Sequence, residues 1–199
     1  MSSGEVTIGH YIMGKMRMFL RQSTVGREPL AIAMSGVRLG ERLLQIGIDT
    51  PLVTSLLAAK PGLSGESSLV VVDEATAARA RKVVSESGAL VNVSVHALDA
   101  LPFNDSSFDL IVLHNRTGQL TSYINDRALG ECRRVLRSGG RVVVVERGAP
   151  SGLSAIFQSR PGDGQSEGTV RALEGAGFRA ARMLGDREGY RFVEGLKVV

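Results

Sequence analysis

From Glu41 onward, short apolar runs alternate with polar, helix-patterned segments. Arg42–Gly47 is such a run, and a helix is expected from about Thr50 to Lys60, closed by Pro61 and Gly62. Ser68–Asp73 is rich in valine, as expected for a strand buried on both faces. A helix over Glu74–Ser87, stopped by Gly88, is followed by strands at Leu90–Val95 and Phe108–Leu113. Leu120, Ile124, Ala128, Cys132, Val135 and Leu136 then recur as one helical stripe, with Ser138-Gly139-Gly140 as its expected end. Arg141–Glu146 makes a fifth strand. A Gly/Ser/Pro-rich linker over Gly148–Gly164 and a helix over Ser166–Ala176 follow. Phe178–Leu184 and Tyr190–Val199, joined by Gly185-Asp186-Arg187-Glu188-Gly189, read as a terminal hairpin.

Five strands separated by crossovers predict a parallel sheet with helices on both faces, to which the hairpin adds antiparallel pairing. The expected fold is α/β, a Rossmann-like seven-stranded sheet covering residues 41–199. Residues 1–40 differ in pattern. Ile12, Met13, Met16, Phe19 and Leu20 share a helix face, interleaved with Lys15, Arg17 and Arg21, and a short helix follows at Glu28–Ser35. This N-terminal part is expected to form a helical lid or packing segment. Its basic, Met-rich character also suits peripheral contact with an anionic membrane surface.

Composition narrows the classes. Apolar residues make up 43% and charged residues 22% of 199 residues, enough for one domain with a sizeable core. Cys132 is the single cysteine, so no internal disulfide can form and a reducing, cytoplasmic setting is expected. Its place on the helical stripe marks it as core. No apolar run reaches membrane-spanning length, and the pattern at Met1–Glu5 predicts no secretion signal. The net charge of +4 is mildly basic, but with 5% aromatics and no Trp stacking platforms for bases are scarce, and no nucleic-acid partner is expected. There is no spaced metal-ligand set, Walker-type phosphate loop or Gly-x-Ser-x-Gly elbow.

In open α/β sheets, ligands sit at the carboxyl ends of strands, near the point where strand order reverses. The residues following each apolar run are therefore the candidates. They are Gly47 and Asp49, then Asp73 and Glu74, then His96, Leu98, Asp99 and Ala100, then His114, Asn115 and Arg116. An acid after the second strand can accept hydrogen bonds from both hydroxyls of a ribose. An acid after the third can accept from an adenine amine. Asp73 equally fits the N-cap of the helix that follows it. His114, which titrates near neutrality when unperturbed, is the first candidate for a general base, ahead of His96 and of His10 in the N-terminal segment.

The order of Leu43–Gly47, Leu69–Asp73, Ala97–Phe103, Phe108–Leu113 and Arg134–Glu146 resembles the class I S-adenosylmethionine-dependent methyltransferases. It is most similar to the small bacterial type acting on small molecules, lipids or quinones. Asp99-Ala100-Leu101-Pro102-Phe103, Arg133–Arg141, Gly175-Ala176-Gly177-Phe178 and Gly189–Gly195 carry the likeness, which spans about Glu41 to Lys197. The resemblance implies S-adenosylmethionine as cofactor and a small, hydrophobic methyl acceptor. By the same resemblance Gly47 lets the backbone approach the methionine part and Asp73 holds the ribose, with Glu74 beside it as a further cofactor-binding candidate. Asp99 and Ala100 meet the adenine, and His114 lies near the methionine moiety or the acceptor.

The glycine-rich turn departs from that pattern. Gln45 stands where the family carries an acid, and Asp49 and Pro51 stand where it carries glycines. Gln45 can still accept from the cofactor's ammonium through its amide oxygen. Asp49 brings a carboxylate near the cofactor's own unless a cation pairs with it, and Pro51 is compatible with a helix first turn. Two readings follow from these departures. One is an active methyltransferase; the other is a methyltransferase-like binding or assembly subunit without catalysis.

Overall fold

The computed structural model describes residues 29–117, 120–148 and 164–199. The N-terminal amphipathic segment around Ile12–Arg21, His10, and the linker between Gly148 and Gly164 lie outside the described residues.

The elements run α1 (Leu30–Ser35), β1 (Arg42–Ile46), α2 (Pro51–Ala59), β2 (Glu66–Val71), α3 (Glu74–Ser87), β3 (Asn92–Val95), β4 (Phe108–Asn115), α4 (Asp126–Val135), β5 (Leu136–Arg147), α5 (Gly164–Gly175), β6 (Arg179–Arg187) and β7 (Tyr190–Leu196). The seven strands form one sheet in the order β3-β2-β1-β4-β5-β7-β6. Pairing is parallel from β3 to β5 and antiparallel where β7 joins β5 and β6. The order reverses between β1 and β4, so the carboxyl ends of those strands open a crevice.

Strand alternation divides the interior by sheet face. Leu44 and Ile46 of β1, Ile111 and Leu113 of β4, and Val142 and Val144 of β5 pack with Leu129 and Cys132 of α4 and Leu173 of α5. On the opposite face, Leu43, Leu110, Val112, Val143 and Val145 meet Val53 and Leu57 of α2 and Ala31 and Ile32 of α1. A third cluster joins Leu69 and Val71 of β2 to Ala77 and Ala80 of α3. α1 therefore packs into the sheet core itself.

Several boundaries differ from the sequence reading. β2 begins at Glu66 and ends at Val71, so Val72 and Asp73 have already left the sheet. The long helical stripe is broken. Leu120 and Ile124 lie in a turn before α4, because Asn115 Oδ1 accepts from Leu120 N at 3.1 Å and Asn125 Oδ1 caps a new helix at Ala128 N, 3.0 Å away. Ser138-Gly139-Gly140 does not end the helix; it lies inside β5, which starts at Leu136. Gly139 takes φ +74° there, and its N–H donates to Lys197 O while Lys197 N–H returns to Gly140 O. Phe108 pairs with Leu136 and Leu110 with Arg141, so the extra residues bulge out of the ladder. Elsewhere the agreement is close: α3 spans the expected residues, and the αL glycines Gly36 and Gly88 close α1 and α3. Cys132 is buried, which pushes its thiol up to about 12 and leaves it inert as a core residue.

Candidate functional site

Two adjoining hollows lie along the carboxyl ends of β1, β2 and β3. The first, of about 270 Å³, is lined by Gly47, Asp73, Thr76, Arg79, His114 and Leu120, among others. The second, of about 360 Å³, is lined by His96, Leu98, Asp99, Ser122 and Asn125, among others. Val72 and Tyr123 border both hollows, which makes one continuous crevice.

Gly47 forms the tight turn out of β1. Its φ is +76°, and a Cβ there would stand 2.7 Å from Leu120 Cδ1 and 3.0 Å from His114 O. Only glycine leaves this space open and accepts the left-handed backbone without strain. The turn continues through Asp49 and Thr50, whose Oγ1 caps α2 at Val53 N, with Pro51 in the first helical turn. Pro51 thus sits where its missing N–H costs nothing.

Asp73 caps α3, as expected, and it also borders the first hollow. Its Oδ1 accepts from Thr76 N at 2.7 Å and its Oδ2 from Thr76 Oγ1 at 2.9 Å, while the residue lines the first hollow. The hydrogen bond from Thr76 N is the main reason its carboxyl lies below the ordinary range. A carboxylate with two bonds used still has accepting capacity for hydroxyls. Arg79 Nη2 donates to Thr76 Oγ1 at 2.9 Å and brings a guanidinium to the same rim. Glu74 is exposed and paired with Arg81 at 3.1 Å; it is not among the residues bordering the crevice. Asp99 borders the second hollow, while Ala100, exposed beside it, does not.

The loop carrying Asp99 is held from α4. Arg134 donates to the carbonyls of Leu101 at 3.0 Å and Phe103 at 2.8 Å and to Asp105 at 2.8 Å. The same guanidinium grips both oxygens of Glu131, which in turn accepts from Leu101 N at 2.8 Å. These contacts join the two stretches, Asp99–Phe103 and Arg133–Arg141, singled out separately in the sequence.

Three residues sit differently from their expected roles. Gln45 is fully buried on the α2 face, with Nε2 donating to Thr54 O at 3.3 Å and Oε1 accepting from His114 Nε2 at 3.1 Å. Its amide is spent inside the protein rather than presented at the crevice. His114 alternates onto that same face and is 2% exposed. Burial, opposed in part by the nearby Asp49 charge, lowers its imidazole to about 4. The expectation of titration near neutrality is therefore corrected: His114 is neutral at pH 7, with a proton on Nε2 and Nδ1 buried without a partner. Asp49 turns inward and does not border the crevice. Its Oδ1 accepts from Thr50 N at 2.6 Å and Arg116 Nε at 3.2 Å, with Tyr190 Oη at 3.5 Å. Arg116 also lies 4.9 Å above the Tyr190 ring. The cation that the turn's extra acid called for is thus Arg116.

The family described as a methyltransferase domain matches residues 44–144. This chain belongs to that family. A ubiquinone/menaquinone biosynthesis C-methyltransferase of Idiomarina loihiensis is 34% identical over 121 residues, covering 60% of this chain and 47% of the relative. One of Ralstonia pickettii is 26% identical over 162 residues, covering 81% of this chain and 62% of the relative. The chain thus spans about half to three-fifths of these relatives' length. A SAM-dependent methyltransferase structure from Aquifex aeolicus superposes with a TM-score of 0.68 at 18% identity, over 86% of this chain and 94% of that one, and agrees in fold.

The sequence pattern gives no sign that Tyr123 and Arg79 border the crevice. Arg116 was visible as a residue following β4, but its pairing with Asp49 joins positions 67 apart. Among the described residues no helix is long and apolar enough to cross a membrane, and no His/Cys/Asp/Glu group could hold a metal ion.

Proposed function

We propose that the chain is an S-adenosylmethionine-dependent methyltransferase acting on a small, hydrophobic acceptor. The observation that carries this reading is the continuous crevice with Gly47 at one end, Asp73 in the middle and Asp99 at the other. The residues fit the group. The open space at Gly47 suits close backbone approach of the methionine part, Asp73 suits the ribose hydroxyls and Asp99 the adenine amine. Asp49 does not oppose the cofactor's carboxylate, because Arg116 takes up its charge. When bound, the cofactor supplies an electrophilic methyl group on sulfonium. This chain's residues bind and orient the reactants, and such alignment of donor and acceptor lowers the barrier without a dedicated nucleophile. The quinone-biosynthesis names of the relatives support a ring-bearing, apolar acceptor.

The test is calorimetric titration with S-adenosylhomocysteine, the demethylated product. Saturable binding that weakens in Asp73→Asn supports the reading, and no heat at millimolar ligand overturns it. One observation favours a second reading, a binding subunit without catalysis: Gln45 is spent within the protein, so that position offers no group to the cofactor's ammonium. Transfer of a labelled methyl group to a quinol-type acceptor at ordinary turnover would dismiss that alternative.

A further inference from the structure

Three residues at the start of α3 border the first hollow together. Asp73 caps the helix, and Thr76 and Arg79 follow at steps of three, so each lies about one turn beyond the last. Arg79 Nη2 donates to Thr76 Oγ1 at 2.9 Å, and that hydroxyl donates to Asp73 Oδ2 at 2.9 Å. The Thr76 hydroxyl thus bridges a donor-only group and an acceptor-only group, offering a lone pair to one and its hydrogen to the other. Through these two bonds no more than about 6 Å separates Arg79 Nη2 from Asp73 Oδ2. Thr76 is 8% exposed, whereas Asp73 and Arg79 stand exposed on the rim.

The helix by itself does not account for the direction of Arg79. Its guanidinium is turned back toward the N-terminal end of α3, where the macrodipole disfavours a cation. Asp73 offsets this. Its carboxyl is held low by the hydrogen bonds from Thr76 N and Thr76 Oγ1, and the Arg79 charge adds to them. Among the described residues the bond to Thr76 is the one hydrogen bond of the guanidinium, which therefore keeps further N–H donors at the edge of the hollow.

A ribose presents two adjacent hydroxyls, each with a hydrogen to give and lone pairs to fill. A carboxylate serves only the hydrogens and leaves the ribose oxygens without a donor. A ligand hydroxyl on the open side of the pair can repeat what the Thr76 hydroxyl does on the buried side. Two hydrogen bonds of about 2.8 Å meeting at one oxygen cover a gap of up to about 5.6 Å.

We propose that Arg79 is a second ribose-binding residue, which donates to a ribose hydroxyl oxygen while Asp73 accepts that hydroxyl's hydrogen. The inference rests on the S-adenosylmethionine reading and deepens it: it adds a donor of this chain's own to the ribose end and makes the pair selective for a neutral diol. A nucleoside without the hydroxyls leaves both charged groups unmatched, which is the kind of loss that gives strong discrimination. An anionic substituent on the ribose gains from Arg79 but is opposed by Asp73 at short range, so the pair does not favour a phosphorylated ribose.

The test uses the full chain. Calorimetry with S-adenosylhomocysteine compares the parent with Arg79→Met, which keeps the aliphatic stem and removes the donors. A roughly tenfold loss of affinity is expected, the size of one hydrogen bond to a charged group, and Arg79→Lys should recover part of it. Melting curves should coincide, because the Arg79 side chain is exposed. Adenosine and 2′,3′-dideoxyadenosine, used as competitors of S-adenosylhomocysteine, then separate ribose reading from a general effect. The parent should prefer adenosine by about tenfold or more, Arg79→Met should weaken adenosine alone, and the dideoxy compound should bind both proteins equally. Equal losses for the two nucleosides in Arg79→Met, or adenosine 2′-phosphate binding more tightly than adenosine, would overturn the proposal. S-adenosylhomocysteine binding equally to the parent and to Arg79→Met refutes the role of Arg79 and leaves the methyltransferase reading standing. Absence of S-adenosylhomocysteine binding to the parent refutes that reading and the inference with it.

Discussion

Asp49 and Arg116, 67 residues apart, form an ion pair at 3.2 Å behind the turn that leaves β1. The Asp49 side chain has no solvent exposure, and its Oδ2 lacks a hydrogen-bond partner. The acid that breaks the glycine pattern is therefore compensated locally, by a cation from just beyond β4.

Arg116→Ala should leave a buried carboxylate without its cation. A destabilisation of about 2–3 kcal/mol is expected, less than for a wholly buried pair because Arg116 is one-third exposed. Adding Asp49→Gly should recover most of it. Chemical denaturation of both singles and the double measures the coupling; an additive cycle would show that the pair does not act as one.

Asp73→Asn retains a capping oxygen for Thr76 N but removes the charge at the crevice. Stability should change little, while affinity for S-adenosylhomocysteine should fall roughly tenfold, as for a lost charge-assisted hydrogen bond. Asp73→Ala should lower both. Calorimetry and melting curves on the two variants separate cap from ligand contact.

His114 ties stability to pH. Its folded value of about 4 lies below the ordinary 6.5, so between these values the unfolded chain binds more protons than the folded one. Stability is then full above pH 6.5 and falls progressively as pH drops toward 4, by about 3 kcal/mol from this residue. Asp109 acts lower. Burial raises its carboxyl, but the hydrogen bond from Arg42 N and the Arg137 and Arg42 guanidiniums outweigh it and hold it at about 2, so its contribution is lost between pH 3.8 and 2. Denaturation midpoints from pH 7 to 4 should flatten in His114→Asn, and an unchanged slope would remove the assignment.

Arg134→Ala should free the loop that carries Asp99. The lost bonds to Leu101, Phe103, Asp105 and Glu131 suggest about 2 kcal/mol after allowance for the one-third exposure of the side chain. Hydrogen exchange at the Leu101 amide, which donates to Glu131, should accelerate. Protection equal to the parent would mean that the loop is held by its apolar contacts alone.

Much of the fold was legible because burial on both faces of a central strand demands continuous apolar runs, and β1, β2, β4 and β5 carry them. Capping chemistry made α3 readable to the residue, with Asp73 before it and Gly88 after it. The stripe through Leu120, Ile124 and Ala128 misled because a turn followed by a helix can keep one face apolar throughout. What broke it was side-chain capping by Asn115 and Asn125, which periodicity does not register. Gly139-Gly140 read as a helix stop, yet its backbone pairs with Lys197, a partner 58 residues on.

The sequence by itself determined the sheet, the side of it on which a ligand crevice opens, and the strand-end residues Gly47, Asp73 and Asp99 that border it. These follow from local rules of periodicity, turn chemistry and strand-end position. Only the tertiary structure decided which way the polar side chains turn and what they meet. Alternation along β1 and β4 sends Gln45 and His114 beneath α2, where low dielectric keeps the imidazole neutral. Pairing across strands far apart in the chain gives Asp49 its cation and aligns Asn115, Glu146, Arg191 and Asp186 in one row. Such contacts depend on register between distant segments, and no local pattern encodes them.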